Sequence, residues 1–214
     1  MIILMMGPPG SGKGTYAQML SKEGWIHFSI GQELRNHVAH NEKHATVLSS
    51  LLDKGKMAPN KIVMDVVDSF FKKHEKNNIV LDGFPRTIEQ VSFFEELLKK
   101  NSLSVAGVVL LELDKKTILN RLTSRVQCSS CGKIFGVGIA SKKKGWCDSC
   151  GGKLVQRKDD TIEVAEERLK VYEKETLPVI RWAVEKYSAV TIDGLGSPEG
   201  VFIKVKEAIQ SFSG

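Results

Sequence analysis

One glycine-rich stretch near the start of the sequence has the composition of a phosphate-binding loop. Gly7, Gly12 and Lys13 meet the spacing G-x-x-x-x-G-K, between an apolar run and a helical pattern. In such a strand, loop and helix, backbone N–H groups and the helix N-terminus surround the phosphates, and the lysine approaches the β- and γ-phosphates. The hydroxyl comes one position late, because Gly14 precedes Thr15, and this weakens direct ligation of Mg²⁺ by the loop. The stretch therefore predicts a site that holds a nucleotide by its phosphates.

The cysteines form a second pattern with chemical meaning. All four lie in two Cys-x-x-Cys pairs, at Cys128 and Cys131 and at Cys147 and Cys150. Four thiolates at this spacing make a closed tetrahedral site for Zn²⁺, with no position left for water. The metal is therefore predicted to be structural and to stabilise a segment without a core of its own. A redox or disulfide pair, or iron in the same site, are the alternatives.

Composition and charge limit the class of protein. The chain has 214 residues, of which 42% are apolar and 7% aromatic, as in one soluble α/β protein with insertions. Its net charge is +6, and the basic residues are spread along the chain apart from Lys142–Lys144. A polyanionic small molecule and a nucleic acid both fit this charge. The apolar run Met1–Met6 is too short for a secretory signal, and no stretch approaches a membrane span, so a cytoplasmic location is predicted.

Apolar runs separated by helical patterns predict a parallel sheet. Runs typical of buried strands lie at Met1–Met6, Ile79–Leu81 and Val105–Leu113, with shorter candidates at Trp25–Ser29 and Ala189–Ile192. Because strands and helices alternate, the predicted fold class is α/β, with a parallel sheet covered by helices on both faces. Ligands of such sheets bind at the carboxyl ends of the strands.

Two helices are predicted, each with one apolar face. The first covers residues 60–76, with Asn60 as N-cap, and the second covers residues 87–100. Their apolar faces consist of Ile62, Val63, Val66, Val67 and Phe70 in the first and of Ile88, Val91, Phe94, Leu97 and Leu98 in the second. Two segments do not fit the alternation: a mostly helical excursion at 30–59, and a stretch rich in Gly, Lys and Cys at 126–158. Both are interpreted as insertions over the site.

Three motifs in a fixed order around the cysteine segment resemble one enzyme family. They are the phosphate loop, the run Asp82-Gly83-Phe84-Pro85-Arg86-Thr87, and the run Arg157-Lys158-Asp159-Asp160 followed by Arg168. This arrangement resembles the adenylate kinases, in the long form with a zinc-bearing lid, over nearly the whole chain. The resemblance implies a P-loop core of residues 1–29, 60–125 and 159–214, a helical AMP-binding insertion at 30–59 and a small zinc-ribbon lid at 126–158.

The resemblance also implies a reaction, the reversible transfer of the γ-phosphoryl group from ATP to AMP, giving two ADP, with Mg²⁺ on the nucleotide. Such a transfer brings many negative charges together and requires no covalent intermediate, so its main need is a ring of fixed cations. The catalytic cations assigned by motif position are Lys13, Arg86, Arg125, Arg157 and Arg168. Neither a membrane nor a nucleic acid is expected as a partner. The family default is a monomer, although the sequence does not determine the oligomeric state.

The family pattern assigns further residues to the two nucleotides. On the ATP side these are Gly10, Ser11, Gly12, Lys13, Gly14, Thr15, Arg121, Arg125, Ile134, Phe135 and Gly196. On the AMP side they are Ile30, Arg35, Lys56, Met57, Ala58, Gly83, Phe84, Pro85, Arg86, Gln90, Arg157 and Arg168. Asp82 is expected to hold Mg²⁺ through its waters, and Gln90 to contact the adenine of AMP. Asp159 and Asp160 are expected to orient arginines, and the histidines are assigned no chemistry.

Several positions depart from the family pattern. Ile30-Gly31-Gln32 replaces Thr-Gly-Asp, which removes a hydroxyl near the AMP base, and Val126 replaces the second arginine of a pair in the lid. The stretch between the cysteine pairs is also one residue shorter than is common and lacks the usual His and Pro-Pro. One alternative is therefore a nucleoside monophosphate kinase with a different or broader base preference.

An alternative of another class is a P-loop protein whose basic zinc ribbon binds nucleic acid, with a regulatory nucleotide site. The segment 126–158 contains few aromatic side chains for base stacking, only Phe135 and Trp146. The kinase spacing of Arg86, Arg157 and Arg168 also argues against this alternative.

Overall fold

Strands and helices alternate along most of the chain. The computed structural model describes residues 1–40, 44–74, 78–136 and 138–212. In chain order the elements are β1 (Ile2–Met6), α1 (Lys13–Ser21), β2 (Ile26–Ser29), α2 (Ile30–Ala39), α3 (Ala45–Asp53), α4 (Asn60–His74), β3 (Ile79–Asp82), α5 (Ile88–Lys100), β4 (Val105–Glu112), α6 (Lys115–Thr123), β5 (Val126–Cys128), β6 (Ile134–Phe135), β7 (Leu154–Gln156), α7 (Ile162–Val171), α8 (Leu177–Lys186), β8 (Ala189–Asp193) and α9 (Pro198–Ser211). A π-helical turn, Tyr172–Thr176, joins α7 to α8.

The central sheet contains the five strands predicted from the apolar runs. Its order is β2-β3-β1-β4-β8, and every neighbouring pair is parallel. Strand β1 is buried along its whole length, and its alternate side chains enter two different core clusters, Ile2 and Leu4 on one face and Ile3 and Met5 on the other. A strand buried on both faces shows a continuous apolar run, which is why the sequence pattern was informative. The predicted α/β fold class is confirmed.

Helices cover both faces of this sheet. Buried side chains of α2, α3, α4, α5 and α8 contribute to the cluster on one face, and those of α1 and α9 to the cluster on the other. Phe94 of α5 is fully buried and stacks edge-on against Phe84, with ring centroids 5.5 Å apart. Replacing a phenylalanine of this kind with alanine typically costs about 3–5 kcal/mol. Among the described residues, no helix has the length and apolar content that a membrane crossing requires.

The two predicted helices are present, with corrections to their ends and faces. Helix α4 starts at Asn60, but the Pro59 carbonyl accepts the first helical hydrogen bonds, so the prediction of Asn60 as N-cap was wrong. Residues 75 and 76, predicted to end this helix, lie outside the described residues. Thr87 caps α5, and the side chain of Ile88 is 54% exposed. Ile88 was wrongly assigned to the apolar face: the buried residues of α5, which include Gln90 and Val91 close to it in sequence, lie roughly 120° away around the helix.

The cysteine segment forms a small sheet of its own. Strands β5, β6 and β7 pair antiparallel in the order β6-β5-β7. Its fully buried cluster consists of Cys128, Phe135 and Cys147, with Val126, Ile139 and Leu154 packed against them. Such a core is too small to stabilise a sheet without a further constraint. The segment 30–59 is mostly helical, as predicted, and contains α2 and α3.

Candidate active site

A cleft of about 380 Å³ lies at the carboxyl ends of β1 and β3, where ligands of parallel sheets bind. The predicted nucleotide and magnesium residues that line it are Gly10, Gly12, Lys13, Gly14, Thr15, Arg35, Lys56, Met57, Asp82, Gly83, Phe84, Pro85, Arg86, Arg121, Arg125, Ile134, Phe135, Arg157, Arg168 and Gly196. The four that do not line it are the buried residues Ser11, Ile30, Ala58 and Gln90. The structure therefore brings residues that are distant in sequence to one cavity of small-molecule size.

The glycine-rich loop follows β1 directly and ends at the N-terminus of α1. At Gly7, with φ of +134°, a Cβ would lie 2.3 Å from the Leu111 carbonyl oxygen, so this position has room only for glycine. Lys13 Nζ donates hydrogen bonds to the carbonyls of Gly7 and Pro8 at 2.8 and 2.7 Å, which places the ammonium over the loop. Burial lowers the pKa of Lys13 to about 8, while the charge of Asp82 opposes this shift. A lysine and a helix N-terminus together form an anion site.

Two aspartates hold three arginines at the cleft. Arg125 Nε donates to Asp160 at 2.7 Å, in a bidentate pair with a wholly buried carboxylate. Arg157 Nε donates to Asp159 at 2.8 Å, and Arg168 donates to both aspartates at 3.0 and 3.4 Å. Burial alone raises the pKa of Asp159, but the hydrogen bond from Arg157 and the nearby positive charges lower it overall. These contacts fit the expectation that the two aspartates orient arginines.

Arg86 is held by a residue of its own motif and by the π-helical turn that precedes α8. Its Nε donates to the Gly83 carbonyl at 2.6 Å, and its own carbonyl accepts from Thr176 Oγ1 at 3.3 Å. Gly83 has φ of +75°, and a Cβ there would lie 2.5 Å from the Arg86 guanidinium. Burial lowers the pKa of Arg86, and Asp82 opposes this shift. The guanidinium therefore has a defined position at the cleft wall.

Arg35 contributes a further cation to the cleft. Among the described residues, its buried Nε has no hydrogen-bond partner. Burial, and after it the charge of Arg157, lowers the pKa of Arg35 to about 9. Burial, and after it the charge of Arg125, lowers the pKa of Arg168 to about 9 as well. Eight lysine and arginine residues and three acidic residues line the cleft. A polyanionic ligand would balance this excess of positive charge and supply an acceptor for Arg35.

Arg121 joins the phosphate loop to the turn after β8. Its guanidinium donates to the Gly194 carbonyl at 2.8 Å and to the Ser11 carbonyl at 3.5 Å. This contact places Arg121 beside Gly196, and both line the cleft. The planar guanidinium is suited to stacking on a nucleobase.

Asp82 ends β3 and faces the phosphate loop. Its Oδ2 lies 3.5 Å from His27 Nε2 of β2, and a Cβ at Gly14 would lie 3.3 Å from the same oxygen. Burial raises the pKa of Asp82, but His27 and the charge of Lys13 outweigh burial and lower it. The residue is thus a carboxylate at neutral pH, a group that suits Mg²⁺ and its waters. Sequence reasoning missed His27, because only the parallel pairing of β2 with β3 brings it to Asp82.

Gln90 and Ile30 are buried beneath the cleft wall. Gln90 is 1% exposed, accepts a hydrogen bond from the Arg86 backbone N–H at 2.8 Å and donates one to Asn60 at 2.8 Å. Ile30 is 2% exposed and belongs to the main core cluster. Sequence reasoning gave Asn60 only a capping role, since nothing in the spacing shows that α4 and α5 meet at this side chain.

The four cysteines converge as the sequence predicts. Their Sγ atoms all lie within 4.8 Å of one another, with 3.4 Å between Cys128 and Cys150 and 3.6 Å between Cys131 and Cys147. A tetrahedron of thiolates around Zn²⁺ has edges of roughly 3.8 Å, given Zn–S bonds of about 2.3 Å. Backbone N–H groups of Ser130 and Cys131 point at Cys128 Sγ, which suits a thiolate. The donor set therefore fits a structural four-thiolate metal site.

Part of the positive charge of the chain lies outside the cleft. The segment 126–158 contains seven basic residues and one acidic residue, which equals the chain's net charge of +6. Lys142, Lys143 and Lys144 in this segment are exposed and do not line the cleft. These lysines face solvent, so the positive charge of the chain does not come from the cleft residues alone.

Comparisons with known proteins identify relatives of this chain. A family model described as adenylate kinase matches residues 5–188. An adenylate kinase of Clostridium tetani is 37% identical over 212 residues, which covers 98% of each chain. An adenylate kinase of Carboxydothermus hydrogenoformans is 36% identical, over 98% of this chain and 100% of its own. An adenylate kinase of Petrotoga mobilis is 34% identical, over 100% of this chain and 99% of its own.

The relatives match from end to end, and the matched range contains the phosphate loop, the cleft arginines and the cysteine sheet. The predicted resemblance, including a segment able to hold a metal through four thiolates, is confirmed. On the full-length identity and the matching family model, this phosphotransferase belongs to the adenylate kinase family.

Proposed function

We propose that this protein transfers the γ-phosphoryl group of ATP to AMP, reversibly and with Mg²⁺, to give two ADP. The observation that carries the proposal is the convergence of Lys13 with arginines from three separate regions on one cleft. These arginines are Arg86, Arg125, Arg157 and Arg168. Phosphoryl transfer between two nucleotides is limited mainly by positioning and by stabilisation of negative charge, so such a ring of cations is the machinery it requires.

The two nucleotides would bind on opposite sides of the transferred group. We place ATP on the phosphate loop, with its base against Arg121 and the turn at Gly196, because Arg121 is fixed there through Gly194. We place AMP beside α2 and residues 83–86, where the guanidinium of Arg35 would bind its phosphate. The proposed residue sets are otherwise those given by the family pattern.

The aspartates would contribute by keeping the arginines in place during the transfer. Because Asp160 holds Arg125 and Asp159 holds Arg157 and Arg168, the donors do not have to reorient when charge develops. Each guanidinium has further N–H groups for phosphate oxygens, since the pairs use only part of its five donors.

Two metal ions are part of this proposal. Mg²⁺ bound with the donor nucleotide would help to neutralise the charge of its phosphates. Asp82 would hold it through waters, as expected for a carboxylate beside the loop. Zn²⁺ would bind Cys128, Cys131, Cys147 and Cys150 and serve a structural role only.

We propose that residues 30–59 and 126–158 move as separate units on a core made of 1–29, 60–125 and 159–214. The two units meet where Gln127 Nε2 donates to Gln32 Oε1 at 3.3 Å across the cleft. Closing them over the nucleotides would exclude water from the transferred group. We further propose a monomer and a cytoplasmic location, because four thiolates grouped to hold a metal suit a reducing compartment.

A broader acceptor preference is the second candidate function. It is favoured by one observation, that Ile30 and Gln90 are both buried and do not line the cleft. With neither side chain in contact with the cavity, discrimination among acceptor bases would rest on backbone groups and shape.

A coupled assay with ATP and four acceptors, AMP, GMP, CMP and UMP, tests both candidates. We expect AMP to be used most efficiently. Comparable kcat/KM for several acceptors would support the broader preference. If the folded parent protein transfers phosphate to none of the four acceptors, AMP included, the proposed reaction is contradicted. The variant Lys13→Ala serves as the inactive control.

A further inference from the structure

The Arg86 segment is fixed at three points, two of which come from other elements. The Arg86 guanidinium donates to the Gly83 carbonyl within its own motif. Its backbone carbonyl accepts from Thr176, and its backbone N–H donates to Gln90 Oε1 at 2.8 Å. The position of this arginine therefore depends on where the Gln90 amide lies.

The Gln90 amide is in turn oriented by Asn60. Gln90 Nε2 donates to Asn60 Oδ1 at 2.8 Å, which leaves Gln90 Oε1 turned toward the Arg86 N–H. Since Gln90 is 1% exposed, water cannot replace a lost partner without entering the core. A flipped Gln90 amide would put an N–H group against the Arg86 N–H, two donors facing each other.

The orientation of Asn60 is itself determined by the start of α5. Asn60 Oδ1 also accepts from Thr87 Oγ1 at 3.3 Å, and Asn60 Nδ2 donates to Glu89. The Asn60 oxygen faces two donors and the Asn60 nitrogen faces a carboxylate, so only one assignment of the two amide atoms satisfies all three bonds. The chain of bonds from Glu89 through Asn60 and Gln90 to Arg86 is thus consistent in every link.

We propose that Asn60 is a positioning residue for Arg86, acting through Gln90. Asn60 does not line the cleft, so its effect on the reaction is indirect. The kinetic test of this inference rests on the proposed function, whereas its structural test rests on the hydrogen bonds alone. In Asn60→Ala, Gln90 would lose the partner that fixes its amide, and the Arg86 segment would sample other positions. A shift of about 1 Å in a positioning group costs up to about 100-fold in rate.

The test compares Asn60→Ala and Gln90→Ala, singly and together, with the matched control Asn101→Ala. Asn101 donates to the Leu97 carbonyl at the far end of α5, so its loss removes a similar bond remote from Arg86. We expect Asn60→Ala to lower kcat/KM for AMP by about tenfold or more, with KM for ATP within twofold of the parent. The double variant should be little worse than Gln90→Ala, because both act on one link. Asn101→Ala should lower stability only.

A conservative variant separates positioning from general destabilisation. Asn60→Asp keeps the acceptor for Gln90 but sets a carboxylate against Glu89, so it should remain impaired. Asn60→Asp combined with Glu89→Gln restores a donor toward position 60 and should recover most of the AMP efficiency. If Asn60→Ala does not fold, Asn60→Ser, which retains a shorter hydroxyl, takes its place in the same comparison.

Amide hydrogen exchange of Arg86 gives a readout that does not require activity. We expect Asn60→Ala to accelerate exchange at the Arg86 N–H by tenfold or more beyond any change at core amides, and Asn101→Ala not to do so. Unchanged Arg86 exchange, or kinetics equal to those of Asn101→Ala, would overturn the inference. A parent without AMP-dependent transfer would contradict the proposed function instead, and the exchange result would still decide the role of Asn60.

Discussion

Arg125 and Asp160 form a buried bidentate ion pair across 35 residues of sequence, with Arg125 Nε 2.7 Å from Asp160 Oδ2. Arg125 directly precedes β5 and Asp160 follows β7, so the pair joins the two ends of the cysteine segment. Arg168 also donates to Asp160. One wholly buried carboxylate therefore anchors both the base of this segment and two arginines of the cleft.

Asp160→Asn should disrupt this anchor, because an amide offers one acceptor where the carboxylate offered two. The substitution also leaves Arg125 without its counter-ion, while Arg168 keeps its pair with Asp159. Breaking a buried pair in this way costs about 3–5 kcal/mol of unfolding free energy. We expect a loss of that order in urea unfolding and a lower kcat. Asp148→Asn, on an exposed loop of the same segment, is the control. Equal stability of the two variants would contradict the anchor role.

Lys13→Ala and Arg86→Ala should each abolish most phosphoryl transfer without unfolding the chain. Each removes a cation that faces the proposed transferred group while leaving the core clusters intact. A contact of this kind contributes about 100-fold or more to turnover. Steady-state kinetics with circular dichroism would check both points, and a folded variant within a few-fold of the parent would refute the role of that residue.

The stability contributed by Asp159 should depend on pH in a defined direction. Its native pKa lies below the ordinary value of 3.8 because the effects of Arg157, Arg168 and Arg35 exceed that of burial. The carboxylate therefore stabilises the fold fully above about pH 4, and this contribution is lost as the pH falls toward the native pKa. Urea unfolding of the parent and of Asp159→Asn should differ by a constant amount from pH 7 to 5 and converge below pH 4. A difference that grows on acidification would have the wrong sign.

Removal of the metal that we propose at the four cysteines should lower stability more than it lowers the activity of enzyme that stays folded. The segment has three fully buried residues in its cluster, so the four thiolates supply the missing constraint. We expect about one zinc per chain by elemental analysis, and a lower melting temperature after chelation or in Cys128→Ser. Protein purified without added metal that contains neither zinc nor iron would exclude the site.

The exposed lysines of the cysteine segment should contribute little to catalysis. Lys142, Lys143 and Lys144 lie outside the cleft, and at physiological salt charges act over about 8 Å. Changing all three to glutamine should leave kcat/KM for ATP and AMP within about twofold of the parent. Lys56→Gln, which alters a cleft lysine, is the positive control. A loss above fivefold in the triple variant would show that these lysines act on the substrates.

The sequence by itself determined the features whose physical cause is local. The phosphate loop follows from glycines and a lysine within a few residues, the strands from continuous apolar runs, and the metal site from two short cysteine pairs. Helix α5 was predictable to within one residue, because Thr87 caps it and its apolar positions recur with helical spacing. These features require no knowledge of what packs against them.

Only the tertiary structure decided the partners of side chains that lie far apart in the chain. His27 meets Asp82 because β2 pairs with β3, and Asn60 meets Gln90 because α4 packs beside α5. The exposure of Ile88 likewise depends on which side of α5 packs against the core. Residue type and spacing specify which side chains are able to bind a ligand or be buried. The approach of distant elements determines which of them do so, because each such contact depends on the packing of the whole core.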